Sequence, residues 1–243
     1  MASRNVNIDD FVPYRPDDIG IIIPHASMYP QRWKWFWPNF MLSTPEVVLR
    51  NSVVVYHLNR ELDHEVPSEV RAVEDAGVKL AVVRRTGRAI TWSTMKGLEL
   101  CRSRLIARIG NDVLPTHPGW IGKILDQYNK EPHLKILSTV VAPGPPYENL
   151  RKICYEPWMK RLLKDGEYDY MSFLLGAFIV MNRALWMGYY PLVAEYTIFE
   201  REDIYLSLFS RADGVPLIRF GEHFKHCGSR FHDEINDPKK NRA

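Results

Sequence analysis

No run of apolar residues in this chain reaches the roughly 18 needed to span a bilayer. Its first residues, MASRNVNIDDFVPYRPDD, lack the apolar core of a secretory leader, so the expected location is the cytoplasm, or a host cytoplasm for a viral protein. Cysteine is scarce. Three residues, Cys101, Cys154 and Cys227, at wide spacing exclude a disulfide framework and a zinc ribbon. Glycine-rich phosphate signatures are missing too: no G-x-G-x-x-G follows the first strand-like run and no G-x-x-x-x-G-K-[ST] occurs, nor does G-x-S-x-G or H-E-x-x-H. Dinucleotide, P-loop, hydrolase-elbow and zincin chemistries lose their main support. Charge of one sign is also lacking. With 32 Lys+Arg against 29 Asp+Glu the formal net charge is +3, which permits a phosphate-bearing ligand or a nucleic acid and requires neither.

What is present describes an ordinary globular chain: 243 residues, 46% hydrophobic and 25% charged, enough for one compact unit with a real core. IGIIIPH (19–25) and VVVYHL (53–58) read as buried strands, because β-branched runs without alternation suit strands covered on both faces. PSEVRAVEDAG (67–77) reads as a helix with Ser68 as N-cap and Gly77 as stop, followed by a strand over 78–84. Met95, Leu98, Cys101 and Leu105 recur at helical spacing within 91–105. Further on, 117–129 reads as a helix, 134–142 as a strand and 143–150 as an irregular loop. In the last third, 176–182 and 215–220 read as strands flanking a helix over 201–214, and a polar tail follows. The fold class is therefore α/β. Strands alternating with helices call for a mostly parallel sheet covered on both faces, with ligands bound beyond the carboxyl ends of the strands.

That edge is where the segment IARIGNDVLPTHPGW (106–120) delivers Asn111 and Asp112. A carboxylate at a strand end suits a hard divalent cation, and such a cation neutralises a departing diphosphate. A second carboxylate near the reacting centre takes a proton from an attacking hydroxyl, and Glu202 and Asp203 are the candidates. The simpler readings are that Asp112 caps a turn and that Glu202 and Asp203 favour the positive end of a helix. His223, His226, Cys227 and His232 match no closed four-ligand zinc pattern.

The order IGIIIPH, IGNDVLPTHPGWIGKIL, GAFIVMNRALWMGYYP, FEREDIYLSLFSR and HCGS resembles the inverting family 2 glycosyltransferases of GT-A fold, in particular their rhamnosyltransferase-like branch, over roughly residues 18–230. The resemblance implies a central mixed, mostly parallel sheet and transfer of a sugar from a nucleotide-diphospho-sugar, with Mn2+ or Mg2+ as cofactor. By position, Gly110, Asn111 and Asp112 stand where the family has D-x-D, so only the last acid is present. Asp112 would hold the metal, with Asn111 touching donor sugar or ribose. The family's E-D pair falls on Glu202 and Asp203, with Asp203 as general base and Arg211 later on the same helix; Tyr205 replaces a frequent second acid. The H-x-x-G-x-S element is matched by His226, Gly228 and Ser229, with His223 as the competing histidine. Pro24, His25 and Ala26 would grip the nucleotide. Asn59 replaces the acid that reads the base, and Arg84, Arg85 and Arg88 would touch base or phosphate.

QRWKWFWPNF (31–40) interleaves Trp33, Trp35, Phe36 and Trp37 with Arg32 and Lys34. The tryptophans either pack as core beneath the nucleotide site or, with Gly176, face the acceptor, since aromatic faces stack on sugars and bases. The expected organisation is one domain over 1–243: a donor half over about 18–142, an acceptor half over about 143–230, and a polar tail over 231–243. The acceptor would be a glycan or, given the basic aromatic cluster, a modified base in DNA. The rival readings are a nucleotidyltransferase that makes sugar nucleotides and a non-catalytic nucleic-acid-binding module.

Overall fold

A computed structural model of the chain describes residues 11–27, 30–58, 65–84, 89–130, 135–138, 141–143, 172–174, 177–196 and 202–226. Among them, strands β1 (Ile19–Ala26), β2 (Val53–Leu58), β3 (Lys79–Arg84), β4 (Leu105–Ile109), β6 (Ile136–Ser138), β9 (Phe178–Asn182) and β10 (Leu217–Arg219) form a seven-stranded sheet in the order β10-β6-β9-β4-β1-β2-β3. β9 pairs antiparallel with β4 and β6, and the other pairings are parallel, so β9 alone runs against the rest. This is the expected α/β class. The strand order reverses between β1 and β4, which makes their carboxyl ends the natural crevice of the sheet.

The β1 sequence explains its central place. Ile19, Ile21 and Ile23 point to one face, where they join Trp33, Phe36 and Phe40 of helix α1 (Pro30–Ser43) and Trp120, Ile121 and Ile124 of α5 (Trp120–Lys130). Ile22 points to the other, among Leu98 of α4 (Ala89–Leu100), Trp186 and Tyr190 of α6 (Arg183–Tyr196), and Leu206 and Leu208 of α7 (Glu202–Ala212). A strand covered on both faces has no polar side to alternate with. Two short helices, α2 (Glu46–Arg50) and α3 (Ser68–Arg71), precede and follow β2 in the chain. Arg183 at the start of α6 donates to the carbonyls of Leu98 and Cys101 at the end of α4, where a cation favours the helix dipole.

Several expectations shift. The helix read over 67–77 is a four-residue turn, α3, followed by a 3-10 turn over Glu74–Ala76; Ser68 lies inside α3 behind Pro67, while Gly77 does stop the chain with φ of 76°. The strand read over 134–142 divides: β6 enters the main sheet, and β7 (Val141–Pro143) pairs with β8 (Ser172–Leu174) in a separate ribbon. The helix read over 91–105 ends at Leu100, and β4 begins at Leu105. A second ribbon joins β5 (Val113–Pro115) to β11 (Phe224–His226). The loop over 144–150, the tail over 231–243, Cys154 and Cys227 lie outside the described residues.

Candidate functional site

β1 and β4 part company at the carboxyl edge. Their ladder ends at Ile22↔Arg108, and β1 continues through Pro24, His25 and Ala26 paired with β2 alone. β4 runs instead into a turn at 110–113, closed by Val113 N–H donating to Gly110 O at 3.1 Å. Gly110 N–H donates to Ala177 O, which ties the turn to the start of β9. The turn has little spare space: a Cβ on Gly110 would lie 2.6 Å from Asp112 Oδ1, so the carboxylate is folded back over the glycine.

Four side chains converge on this parting. The Asn111 amide donates to His25 Nδ1 at 2.6 Å, which leaves the ring proton on Nε2. Asp112 Oδ2 lies 3.6 Å from Arg32 Nη1, and both side chains are largely buried, at 21% and 13% exposed. His25 stacks on Trp33 with ring centroids 4.7 Å apart. Burial pushes the His25 pKa down to about 3, with Arg32 acting in the same direction, so the imidazole is neutral at physiological pH.

The β5–β11 ribbon sorts the two histidines. His226 is the register partner of Val113, immediately beside Asp112; its side chain lies outside the described ones. His223 sits at the other end of the ribbon, where its carbonyl accepts from Thr116 N–H and its Nδ1 meets His117 Nε2 at 3.0 Å. Two residues, Phe224 and Lys225, lie between the two positions, a span of about 10 Å in extended chain.

Glu202 and Asp203 open α7 on the opposite face of the sheet from Trp33. They have separate fates. Glu202 Oε1 accepts from Arg108 Nη1 at 2.9 Å, with the two side chains 4% and 1% exposed. Burial, the largest influence, would lower the Arg108 pKa, but Glu202 together with Tyr190 and Asp203 turns the net shift upward and the guanidinium stays charged. Glu202 therefore ties α7 to β4 through a buried ion pair. Asp203 is partly exposed, and its Oδ1 accepts from the N–H of Ile204.

The tryptophans divide likewise. Trp33 is 1% exposed and donates from Nε1 to Glu69 O, which places it in the core, and the partly buried Trp37 stacks on it. Trp35 is 61% exposed. Arg84 ends β3 on the surface. Asn59, Arg85, Arg88, Gly176, Gly228 and Ser229 lie outside the described residues.

A divalent cation at this edge would meet one described carboxylate, that of Asp112, already beside a guanidinium. Among the described residues no three His, Cys, Asp or Glu side chains form a group able to hold a metal ion. The side chain of His226, the other metal candidate, lies outside the described ones. Arg32 is the participant that the sequence reading left among the tryptophans. Its one signal was a cation within an aromatic run, and its meeting with Asp112 depends on α1 packing against β5.

Neither a protein-family model nor a curated protein matches the sequence. Among solved structures, the mannosyltransferase PcManGT from Pyrobaculum calidifontis, in complex with GDP-Man and Mn2+, is similar at 17% identity with a TM-score of 0.47. The similarity covers 74% of this chain and 49% of that one, so the chain spans about half that protein's length. No helix among the described residues is long and apolar enough to cross a membrane.

Proposed function

We propose that the chain is an inverting glycosyltransferase that moves a sugar from a nucleotide-diphospho-sugar to an acceptor hydroxyl. The observation that carries this reading is the convergence of Arg32, His25, Asn111 and Asp112 where β1 and β4 separate. The ordered motifs that resemble family 2 transferases support it.

In this reading the donor lies across the parted strands. His25, held neutral beneath the edge, is fixed by Asn111 through Nδ1 and supports the floor on which the donor lies. The nucleotide runs along the end of β1 past Pro24 and Ala26, and the diphosphate sits beside Asp112. Asp203, at the head of α7, takes the proton of the acceptor hydroxyl. The acceptor oxygen attacks the anomeric carbon from the face opposite the diphosphate, the bond from that carbon to the diphosphate oxygen breaks, and the nucleoside diphosphate departs with the bonding electrons. One displacement inverts the configuration. Arg108 and Glu202 act at one remove by holding the first turn of α7 against β4. Residues up to about 142 then serve the donor and later ones the acceptor, which is a glycan hydroxyl in this scheme.

The test supplies uridine, guanosine, cytidine and thymidine diphosphate sugars with oligosaccharide acceptors and follows nucleoside diphosphate release and the anomeric configuration of the product. Transfer with inversion that falls by about 10²–10⁴ in Asp203→Asn is expected of a lost general base. Transfer with retained configuration, or full activity in Asp203→Asn, would overturn the mechanism. Release of pyrophosphate from a nucleoside triphosphate plus a sugar phosphate would replace it with nucleotidyl transfer.

A further inference from the structure

We propose that Arg32 provides the counter-charge for the donor diphosphate, so that a nucleoside diphosphate binds this site without a divalent cation. The inference rests on the donor site described above and changes what neutralises the leaving group there.

Three observations lead to it. The first is spatial. A metal-binding pair of acids at 110 and 112 needs a side chain at 110, yet a Cβ there would stand 2.6 Å from Asp112 Oδ1 and 3.3 Å from the carbonyl oxygen of Ala177. The turn is shaped around a glycine, and the second acid has nowhere to go while Asp112 keeps its position. The second is electrostatic. Asp112 already has a cation at 3.6 Å, a guanidinium 13% exposed and fixed on α1. A divalent ion binding that carboxylate would be pressed against Arg32 at a separation where like charges repel by several kcal/mol even at an effective dielectric of about 20. The third is chemical. The remaining polar groups on the edge, His25 and Asn111, are neutral and are already bonded to each other, so Arg32 is the cation that the described site offers.

A guanidinium suits the task. Its planar fork matches phosphate oxygens two at a time and stays charged at any working pH. Asp112 then acts as a positioning residue: it holds Arg32 beside the end of β4, where the diphosphate is to bind. The neutral state of His25 belongs to the same scheme, since a protonated imidazole between Arg32 and the core would repel the guanidinium it must sit beside.

The test titrates the full chain with uridine, guanosine, cytidine and thymidine diphosphates by calorimetry, once in EDTA and once in Mn2+. The expected result is that one diphosphate binds with affinities in the two conditions equal to within about twofold, and that Arg32→Gln weakens this binding by about tenfold or more. Arg32→Lys, which keeps the charge and loses the fork, should fall between the two, and a thermal melt of each unliganded variant checks its folding. If Arg32→Gln fails to fold, the comparison of EDTA with Mn2+ on the native chain decides alone. Binding seen only with Mn2+ would overturn the inference while leaving the donor-site reading in place. Binding in EDTA unchanged by Arg32→Gln would also overturn it. Binding of no diphosphate in either condition would remove both the inference and the proposed function.

Discussion

Asn111 and His25 join the two central strands by their side chains beyond the point where the backbone ladder between them stops. The bond is 2.6 Å long and runs from an amide after β4 to an imidazole near the end of β1. His25 is 1% exposed, stacks on Trp33 and faces Arg32, so its surroundings favour the neutral ring.

A pH dependence follows from that. In the unfolded chain the ring titrates near 6.5; in the folded protein it does so at about 3. Above pH 6.5 both states are neutral and stability is flat. Below it the unfolded state binds the proton and the native state does not, so stability falls by about 1.4 kcal/mol per pH unit, or about 2 kcal/mol by pH 5. Burial lowers the His57 pKa as well, which adds in the same direction. Ring nitrogen shifts measured by NMR should show His25 neutral at pH 5, and His25→Gln should reduce the fall of the urea midpoint between pH 6.5 and 5, leaving the share that belongs to His57. A ring titrating near 6.5 in the native protein would contradict this.

Arg108 and Glu202 lie 94 residues apart in sequence and form one buried ion pair. Removing one member leaves the other charge in an apolar layer, so Arg108→Ala should cost about 3–5 kcal/mol, whereas Arg108→Met combined with Glu202→Leu should recover most of the loss. Urea unfolding of the single and double variants makes the comparison. Equal losses in both would mean that the pair acts through packing alone.

Much of this frame is legible in the sequence because β1 and β2 are covered on both faces and read as β-branched runs. The α6 helix is not, since Gly188, Pro191 and a run of aromatics blur its period, and it is tertiary packing of Trp186 and Tyr190 that makes it helical. β5 and β11 have three residues each, too few for any pattern, yet their register is what puts the backbone of His226 beside Asp112. Asp112 is visible as an acid at a strand end; its partner Arg32 is not, because the pair forms across 80 residues of chain through the packing of α1. Glu202 and Asp203 look alike in sequence, and only the strand face of Arg108 distinguishes them.

The three tryptophans of α1 offer a direct contrast. Trp33→Ala should cost about 3–5 kcal/mol, as expected of a large buried aromatic. Trp35→Ala should change stability by no more than about 0.5 kcal/mol, because an exposed ring loses little on truncation. Thermal melts of the two variants give the comparison. A rise in acceptor KM for Trp35→Ala, with stability unchanged, would place an acceptor on that ring, and an unchanged KM would leave it as surface.

A Cβ at Gly97 and one at Gly110 would each press on a neighbouring side chain, with opposite consequences. A Cβ on Gly97 would lie 2.3 Å from Cγ2 of Ile22 and 3.0 Å from its Cγ1 and Cδ1, in the core between α4 and β1. Ile22 is β-branched and held on both sides, so it has no rotamer to yield to. The helix propensity gained by Gly97→Ala is about 1 kcal/mol, and overpacking at a rigid contact costs about 1–3 kcal/mol, so the net effect is destabilising. At Gly110 the nearest atom is the tip of the Asp112 carboxylate, which can rotate away. Gly110→Ala should therefore leave stability within about 1 kcal/mol of the native protein. It should nevertheless move Asp112 off Arg32 and weaken diphosphate binding by about tenfold. Urea unfolding and calorimetric titration on both variants read the two effects separately: Gly97→Ala should lose stability and keep its affinity for nucleoside diphosphate in the folded state, and Gly110→Ala should do the reverse. A Gly110→Ala protein that binds diphosphate as the native one does would mean that the folded-back position of the carboxylate plays no part in holding Arg32.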